Sequence, residues 1–504
     1  MLARASSAPQ MRRRASDARD AAVIDVGSNS VRLVLYRLEG RAIWTVYNEK
    51  VLAGLGRDLG ATGRLSETGV ETALTALRRF RAVIEAAGPI DVFTAATAAV
   101  REAKDGPAFV ARVKAETGLV LRVLSGQEEA RYAALGVLAG APLGEGVVGD
   151  LGGASLELVR LSPDGPVDGA TLALGPFALA GTKPDKARIE IDKRLAAVSD
   201  RFRTDSFQAV GGAWRNLALL HMRMSGYPLQ IVHQYEMSRA DALDAARFIS
   251  RQSRASLEGI QGISRKRLET LPHAAMVMEA LIERLGVRQI AVSAYGLREG
   301  LLFEAMSPET RDQDPLIEGC AALTSRRGID ETLGPTLEAW LEPVFAALPP
   351  IFGERDRVLR AAACRLADLG ARLHPDHRAD LVFEQVLRAP VAGQTHAERA
   401  FLAVAAFARH TSAASTPDGP IISRLLTDGQ RKRARALGAA IRLGCDLSGR
   451  SAALLGQSQL ALDDGRLTLS AADGQADMLL GEQSARRASQ LAGLLGLKLE
   501  IRRG

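Results

Sequence analysis

The chain's 504 residues are 47% hydrophobic and carry a formal net charge of +7, enough to fill roughly three or four domain cores and to favour an anionic partner. Aromatic residues reach only 4%, too few for the stacking platforms of a single-strand nucleic-acid binder, so no nucleic-acid partner is expected. Cys320, Cys364 and Cys445 stand far apart with no CxxC pair, which gives neither a disulfide framework nor a zinc site, and no apolar run nears the ~18 residues of a membrane span.

Residues 1–20 hold five Arg against two Asp, among Ser, Ala and Pro. Without an apolar stretch they read as a disordered basic leader rather than a secretory signal, and the protein is expected in the cytoplasm. Ala22-Val23-Ile24 then opens a strand that runs into Asp25-Val26-Gly27-Ser28-Asn29-Ser30-Val31-Arg32-Leu33-Val34. These ten residues recur without a gap as Asp150-Leu151-Gly152-Gly153-Ala154-Ser155-Leu156-Glu157-Leu158-Val159. Each copy reads as strand, tight Gly turn and strand, with a carboxylate at the turn. Gly lets the backbone approach an anion, and the turn N–H and Ser groups can donate to phosphate oxygens. A matched pair predicts a duplicated fold gripping a phosphate chain from both sides.

After the first hairpin, Ala42–Tyr47 continues the sheet, and Gly54, Gly56, Gly60 and Gly63 form a loop around Arg57-Asp58-Leu59. Apolar residues at helical spacing predict a helix from Ser66 to about Ala87. Asp91–Thr97 reads as a buried strand, followed by Arg101, a helix at 107–116 and a strand at Leu119–Leu124. Ser125 is a predicted N-cap for a helix that starts in Gln127–Arg131 and runs to about Leu138. The second copy repeats the pattern: hairpin 147–161, Gly169–Gly175, a helix near 186–202, strand Ser206–Val210 into Gly211-Gly212, and helices at 214–224, 238–252 and 265–285. Strand Ile290–Ser293 and Gly296-Leu297-Arg298-Glu299-Gly300 lead to a closing helix. Strands alternating with helices around two related sheets predict an α/β two-lobe core with its site in the cleft. The expected divisions are a leader (1–20), lobe I (21–138), lobe II (139–311), a helical domain (312–436) and a small α/β domain (437–504). In the last, Ser458–Leu462 and Arg466–Leu469 flank Asp463-Asp464-Gly465 as a hairpin, followed by helix 484–495 and strand 497–501.

Together, Asp25-x-Gly-Ser-Asn-Ser30, Thr97-x-x-x-Arg101, Ser125-Gly-Gln-Glu-Glu-Ala-Arg131, Asp150-x-Gly-Gly-x-Ser155-x-Glu157, Gly211-Gly212 and Gly296-Leu-Arg-Glu-Gly300 resemble, in order, the exopolyphosphatase / guanosine-pentaphosphate phosphohydrolase (Ppx/GppA) family in its long four-domain form. The resemblance implies a duplicated actin-like (ribonuclease H-like) core, an all-helical domain similar to His-Asp phosphohydrolases, and a small α/β C-terminal domain. It also implies a homodimer that hydrolyses terminal orthophosphate from inorganic polyphosphate or, alternatively, cleaves guanosine pentaphosphate. Four positions depart from the family pattern. Ala154 and Leu156 replace Gly and Thr, so a methyl stands where a positive φ would favour Gly; Ala213 replaces Thr; and Ala294 lacks the usual Asp. The metal-binding dyad of the helical domain would fall at Ala367-Asp368, so no second metal site is expected, and His374, His377, His396 and His410 read as solvent or packing residues.

Phosphoanhydride hydrolysis requires an in-line water and neutralisation of the phosphoryl oxygens. The resemblance assigns the water's base to Glu129. Its neighbour Glu128 lies ~100° away around the helix, so only one of the two can face the cleft. Arg101 would clamp a phosphate oxygen. Ser28, Asn29, Ser30, Gly152, Gly153 and Ser155 would donate to phosphate, and Asp25, Asp150 and Glu157 would hold Mg²⁺ directly or through water. Gly211 and Gly212 either receive a base or ribose or serve helix–strand packing. Arg298 and Glu299 are expected to buttress the lobes. Arg265-Lys266-Arg267 and Arg431–Arg435 would line a polyanion track or form solvated helix faces. A sugar-kinase-like ATPase and a non-catalytic alarmone-binding or scaffold protein are the competing classes.

Overall fold

Strand β1 (Arg19–Val26) lies between β2 (Val31–Glu39), its antiparallel hairpin partner, and β4 (Asp91–Ala96), parallel to it; β3 (Ala42–Val51) completes the sheet order β3-β2-β1-β4. The computed structural model describes residues 18–141, 146–162, 164–179, 181–252, 256, 270–325 and 330–503. The leader thus falls almost wholly outside the described residues, and β1 begins two residues inside its expected limit, with Arg37 bonding Asp20 at 2.9 Å. The buried run Ala22-Val23-Ile24 packs on both sheet faces, which requires continuous apolar residues rather than alternation.

The expected strand at Leu119–Leu124 shrinks to one bridge between Ala96 and Val123. The Thr94 hydroxyl donates to the Val120 carbonyl at 2.6 Å and accepts from the Arg122 N–H at 3.2 Å, so a side chain fills rungs that a full ladder would use.

The second sheet repeats the first. β5 (Gly146–Leu151) pairs antiparallel with β6 (Leu156–Ser162) and parallel with β8 (Ser206–Val210), while β7 (Gly165–Leu172) lies outside β6. β10 (Gln289–Val292) and the short edge strand β9 (Tyr235–Ser238), which the sequence pattern did not predict, extend the order to β7-β6-β5-β8-β10-β9.

The helix Gly126–Gly140 belongs to both lobes. Tyr132, Leu135 and Ala139 pack with lobe I residues such as Ala21 and Val34, whereas Ala130, Ala134 and Val137 pack with Val148, Val159 and Val210 of lobe II. The closing helix Leu297–Glu304 crosses it at glycines: a Cβ on Gly300 would lie 1.9 Å from the Tyr132 carbonyl oxygen, and one on Gly136 would lie 2.0 Å from that of Gly296. Leu301, Leu302 and Phe303 then bury themselves on the lobe I sheet, although the helix follows lobe II in sequence.

From Pro315 to Leu425 the described residues form helices, as the pattern predicted. The boundary at 436 is corrected. Helix Asp428–Ser448 runs through it, and one core joins Leu337, Phe383 and Leu437 to Leu460, Leu467 and Leu491 of the C-terminal sheet. That sheet has the order β11-β12-β13 (Ser458–Asp463, Arg466–Ala471, Lys498–Arg502), and its hairpin turn holds Asp464 at φ 45° and Gly465 at φ 72°.

Candidate functional site

The twin decamers form two hairpins of the same geometry. The Gly27 N–H donates to the Ser30 carbonyl at 3.0 Å, and the Gly152 N–H to the Ser155 carbonyl at 2.9 Å. Each tip is then strapped by a loop. Gly54 and Gly56 donate to the Asn29 and Ser28 carbonyls, while Gly175 and Phe177 donate to those of Ala154 and Gly153. The tips meet across the lobes, because a Cβ on Gly153 would stand 3.3 Å from that of Ser28. Ser28, Asn29, Ser30, Gly152, Gly153 and Ser155 are thereby brought to one place.

Ala154 is not among the positive-φ residues, so its methyl meets no backbone penalty. The glycine requirement lies opposite, at Gly175, where a Cβ would sit 2.4 Å from the Ala154 carbonyl carbon. The sequence pattern marked the first of these loops by its glycines but gave neither loop its place on a hairpin tip.

Glu129 reaches the interface through the cap of its own helix. Ser125 Oγ accepts the Glu128 N–H at 3.2 Å, and the Glu128 carboxylate accepts the Ser125 N–H at 2.9 Å. This capping box, with Arg122, holds Glu128 on the exposed side, where the Ser125 amide and the Arg122 guanidinium lower its pKa to about 2. Glu129, one position on, is buried, and Arg101 Nη1 donates to its Oε2 at 3.1 Å and to the Leu124 carbonyl at 2.8 Å. Burial dominates over the Arg101 contact, and Asp150 and Asp25 add repulsion, so the Glu129 pKa is pushed up to about 7.

The remaining acids surround it. Asp150 and Glu157 are direct cross-strand partners on β5 and β6. Burial, helped by Asp25 and opposed by Arg215 and Arg298, pushes Asp150 up to about 6. Burial and the Glu129 and Asp150 charges hold Glu157 well above the usual carboxylate range, and its buried Oε1 makes no hydrogen bond. Asp25, at the matching place in lobe I, is held by Arg298 Nη1 at 3.2 Å. Arg298 and Glu299 do join the lobes: Tyr36 of β2 donates to Glu299 Oε1 at 2.6 Å, and Glu299 Oε2 accepts the Gly296 N–H at 2.9 Å.

These electrostatics suit a hydrated divalent ion. Crowded, burial-strained carboxylates and an unsatisfied Glu157 oxygen would gain from positive charge. No group of three or more His, Cys, Asp or Glu side chains among the described residues is placed to hold a metal directly.

Gly211 serves packing. At φ 110° its Cβ would lie 2.6 Å from the Leu151 carbonyl oxygen and 3.2 Å from Asp150 Oδ1, so Gly there makes room for Asp150. A Cβ on Gly212 would meet nothing within 4 Å. Arg265-Lys266-Arg267 lies outside the described residues. In the other basic run, Arg433 and Arg435 donate to the carbonyls of Pro349, Ala413 and Ala414.

Residues 34–309 match the model of the Ppx/GppA phosphatase family, and residues 325–502 match that of the exopolyphosphatase C-terminal domain. Exopolyphosphatase 1 of Mycobacterium tuberculosis is 26% identical over 328 residues, spanning 61% of this chain and 94% of that protein. A guanosine-5'-triphosphate,3'-diphosphate pyrophosphatase of Pseudoalteromonas atlantica is 28% identical over 300 residues, spanning 56% of this chain and 58% of that protein. The crystal structure of the Aquifex aeolicus Ppx/GppA family member superposes with a TM-score of 0.51 at 26% identity, covering 56% of this chain and 96% of that one. An exopolyphosphatase from Cytophaga hutchinsonii shares the fold at a TM-score of 0.53 and 22% identity, over 57% of this chain and 97% of its own. With its twin hairpins, shared helix and family-model match across both lobes, the chain belongs to the Ppx/GppA phosphatase family.

Proposed function

We propose that the chain is an exopolyphosphatase that hydrolyses terminal orthophosphate from inorganic polyphosphate in the cleft between its two lobes. The observation that carries this reading is Glu129. It is a carboxylate with a pKa near neutrality, set between two phosphate-type hairpins and held by one arginine. A base near the working pH removes a water proton efficiently and still recovers it, an effect worth ~10²–10⁴ in rate. The hairpin N–H and hydroxyl groups hold the terminal phosphate, and Arg101, already oriented by the Leu124 carbonyl, steadies an equatorial oxygen. Glu129 takes the water's proton as the water attacks phosphorus in line with the departing chain oxygen. Asp25, Asp150 and Glu157 would hold Mg²⁺ through water, and the bound ion supplies neutralisation of phosphoryl charge.

Guanosine pentaphosphate is the second reading, favoured by the Pseudoalteromonas relative named for that chemistry. Its 5′ end is also a short phosphate chain, so the same hairpins and base would serve. A cytoplasmic homodimer, an actin-like ancestry for the core and a His-Asp-phosphohydrolase-like origin for the helical segment go with the same reading. The test is phosphate release from long-chain polyphosphate and from guanosine pentaphosphate by wild type and Glu129→Gln. Polyphosphate turnover that fails in the variant supports the first reading; turnover of the nucleotide alone supports the second.

A further inference from the structure

Outside the two lobes, the helical segment holds a partly open cavity of 140 Å³. Asp368, Arg378, Arg409, His410, Asp446 and Arg450 line it, so its wall comes from segments far apart in sequence. The volume is several times the ~30 Å³ a water occupies in the liquid and well below the ~300 Å³ at which drug-sized ligand pockets begin. A small, compact ligand fits and a nucleotide does not.

The charges select its sign. Asp446 is already engaged by Arg487 Nε at 2.9 Å, with Arg442 Nε at 3.9 Å, and Asp368 faces Arg450 Nη1 at 3.5 Å. Both acids on the wall therefore have cationic partners. Arg378 and Arg409 differ. Arg378 donates from Nη2 to the Leu373 carbonyl at 3.2 Å, Arg409 hydrogen-bonds the Cys445 thiol on the same wall, and neither has a salt bridge among those of the described residues. The buried Nε of each makes no hydrogen bond, nor does Nη1 of Arg442 close behind; Asp368 Oδ1, 3.5 Å from Arg450, is the one wall acceptor in the same state. His410 adds no charge: burial and the surrounding arginines keep it neutral, with its pKa lowered to about 3, while its Nε2 lies 3.0 Å from the Leu369 carbonyl oxygen.

Buried guanidinium N–H groups without acceptors are costly, and a tetrahedral oxyanion offers several acceptors in a compact body. We infer that this cavity is a second anion site, built for a single phosphate group and held chiefly by Arg378 and Arg409. The phosphate is either free orthophosphate or the end group of a phosphate chain. The inference is independent of the chemistry assigned to the cleft, which uses none of these residues.

The test uses the full chain with ¹⁵N-labelled histidine and follows the His410 ring signals, assigned with His410→Gln, during titration with inorganic phosphate. The expected result is a saturable shift that potassium chloride at equal ionic strength does not produce. Arg378→Gln and Arg409→Gln should each weaken the apparent affinity at least tenfold, and Ala371→Met, which fills the cavity without touching its charge, should abolish the shift. Turnover of a short substrate should be unchanged in all three. Long-chain polyphosphate added to Glu129→Gln identifies the source. A His410 shift there assigns the site to a chain end, and a shift with orthophosphate alone assigns it to free phosphate. The inference is overturned if His410 responds equally to chloride, does not respond to either phosphate form, or responds identically in wild type and Ala371→Met.

Discussion

Replacing Glu129 by Gln keeps the side chain's shape and an acceptor for Arg101 while removing the base. Loss of general-base assistance should lower kcat by ~10²–10⁴, or about 3–5 kcal/mol of barrier at about 1.4 kcal/mol per factor of ten. Stability should move the other way. The folded-state pKa of about 7 lies above the ~4.3 of an unfolded Glu. Between those values the folded chain binds a proton that the unfolded chain has released, so stability falls as pH rises through the window, by on the order of 3 kcal/mol in all. Gln never ionises and escapes that loss. The variant should melt no lower than wild type at pH 8, and any advantage should shrink toward pH 4. Phosphate release from long-chain polyphosphate across pH 5–9, with melting curves on the same samples, separates a chemical loss from unfolding. Wild type should show an acid limb below pH 7, because the bound cation lowers the Glu129 pKa from its metal-free value of about 7, and the variant should lack it. Glu128→Ala is the control: it breaks the capping box, costs about 0.5–2 kcal/mol of stability and leaves kcat in place. Full activity in Glu129→Gln, or an unchanged acid limb, would refute the assignment.

Gly175→Ala should lower kcat by about tenfold to a hundredfold with a smaller stability loss, because its Cβ would press the Ala154 backbone and tilt the hairpin tip; steady-state kinetics beside thermal melts check this. Ala154→Gly, by contrast, should change kcat less than twofold, since no positive φ is relieved. Gly300→Ala should cost about 3 kcal/mol or more in urea unfolding, the Cβ meeting the Tyr132 carbonyl where the two helices cross. Asp150→Asn should raise the Mg²⁺ concentration needed for half-maximal activity at least tenfold, and chelation with EDTA should abolish wild-type activity until Mg²⁺ is restored.

The parts of the molecule that could be read from sequence are those in which local pattern and tertiary role coincide. The twin hairpins could be read because strand runs, turn glycines and carboxylates sit at fixed spacing within ten residues. The separation of Glu128 from Glu129 followed from helix geometry, with the Ser-x-x-Glu cap deciding which acid turns outward. What escaped depended on distant partners. The four residues of β9 are too few to show a period, and the sheet edge supplies their pairing. Residues 119–124 have strand composition, but the Thr94 hydroxyl takes the rungs. The loops strapping the hairpin tips show only glycines, and the closing helix carries no mark that its apolar face belongs to lobe I. The domain boundary at 436 was drawn at a basic run, although a basic helix face can lie over a continuous core.

The two hairpins share a backbone and differ in charge, and that difference suggests a division of labour. In lobe I, Asp25 stands opposite Arg32 in the register and is held by Arg298. In lobe II, Asp150 stands opposite Glu157, with one carboxylate oxygen lacking any hydrogen bond. A phosphate chain carries charge along its whole length, so it is repelled by lobe II alone and tolerated by lobe I alone. On the proposed reading, lobe I holds substrate against balanced charge, while lobe II keeps a deficit of positive charge that only a cation can make good. Glu129 sits on the helix shared by both lobes, where burial, with repulsion from Asp150 of lobe II and Asp25 of lobe I, raises its pKa and Arg101 restrains the rise. A cation entering beside Asp150 and Glu157 would lower the Glu129 pKa and favour the ionised base. The same event that readies the phosphate for attack would then ready the group that activates the water, a coupling that one hairpin alone would not supply.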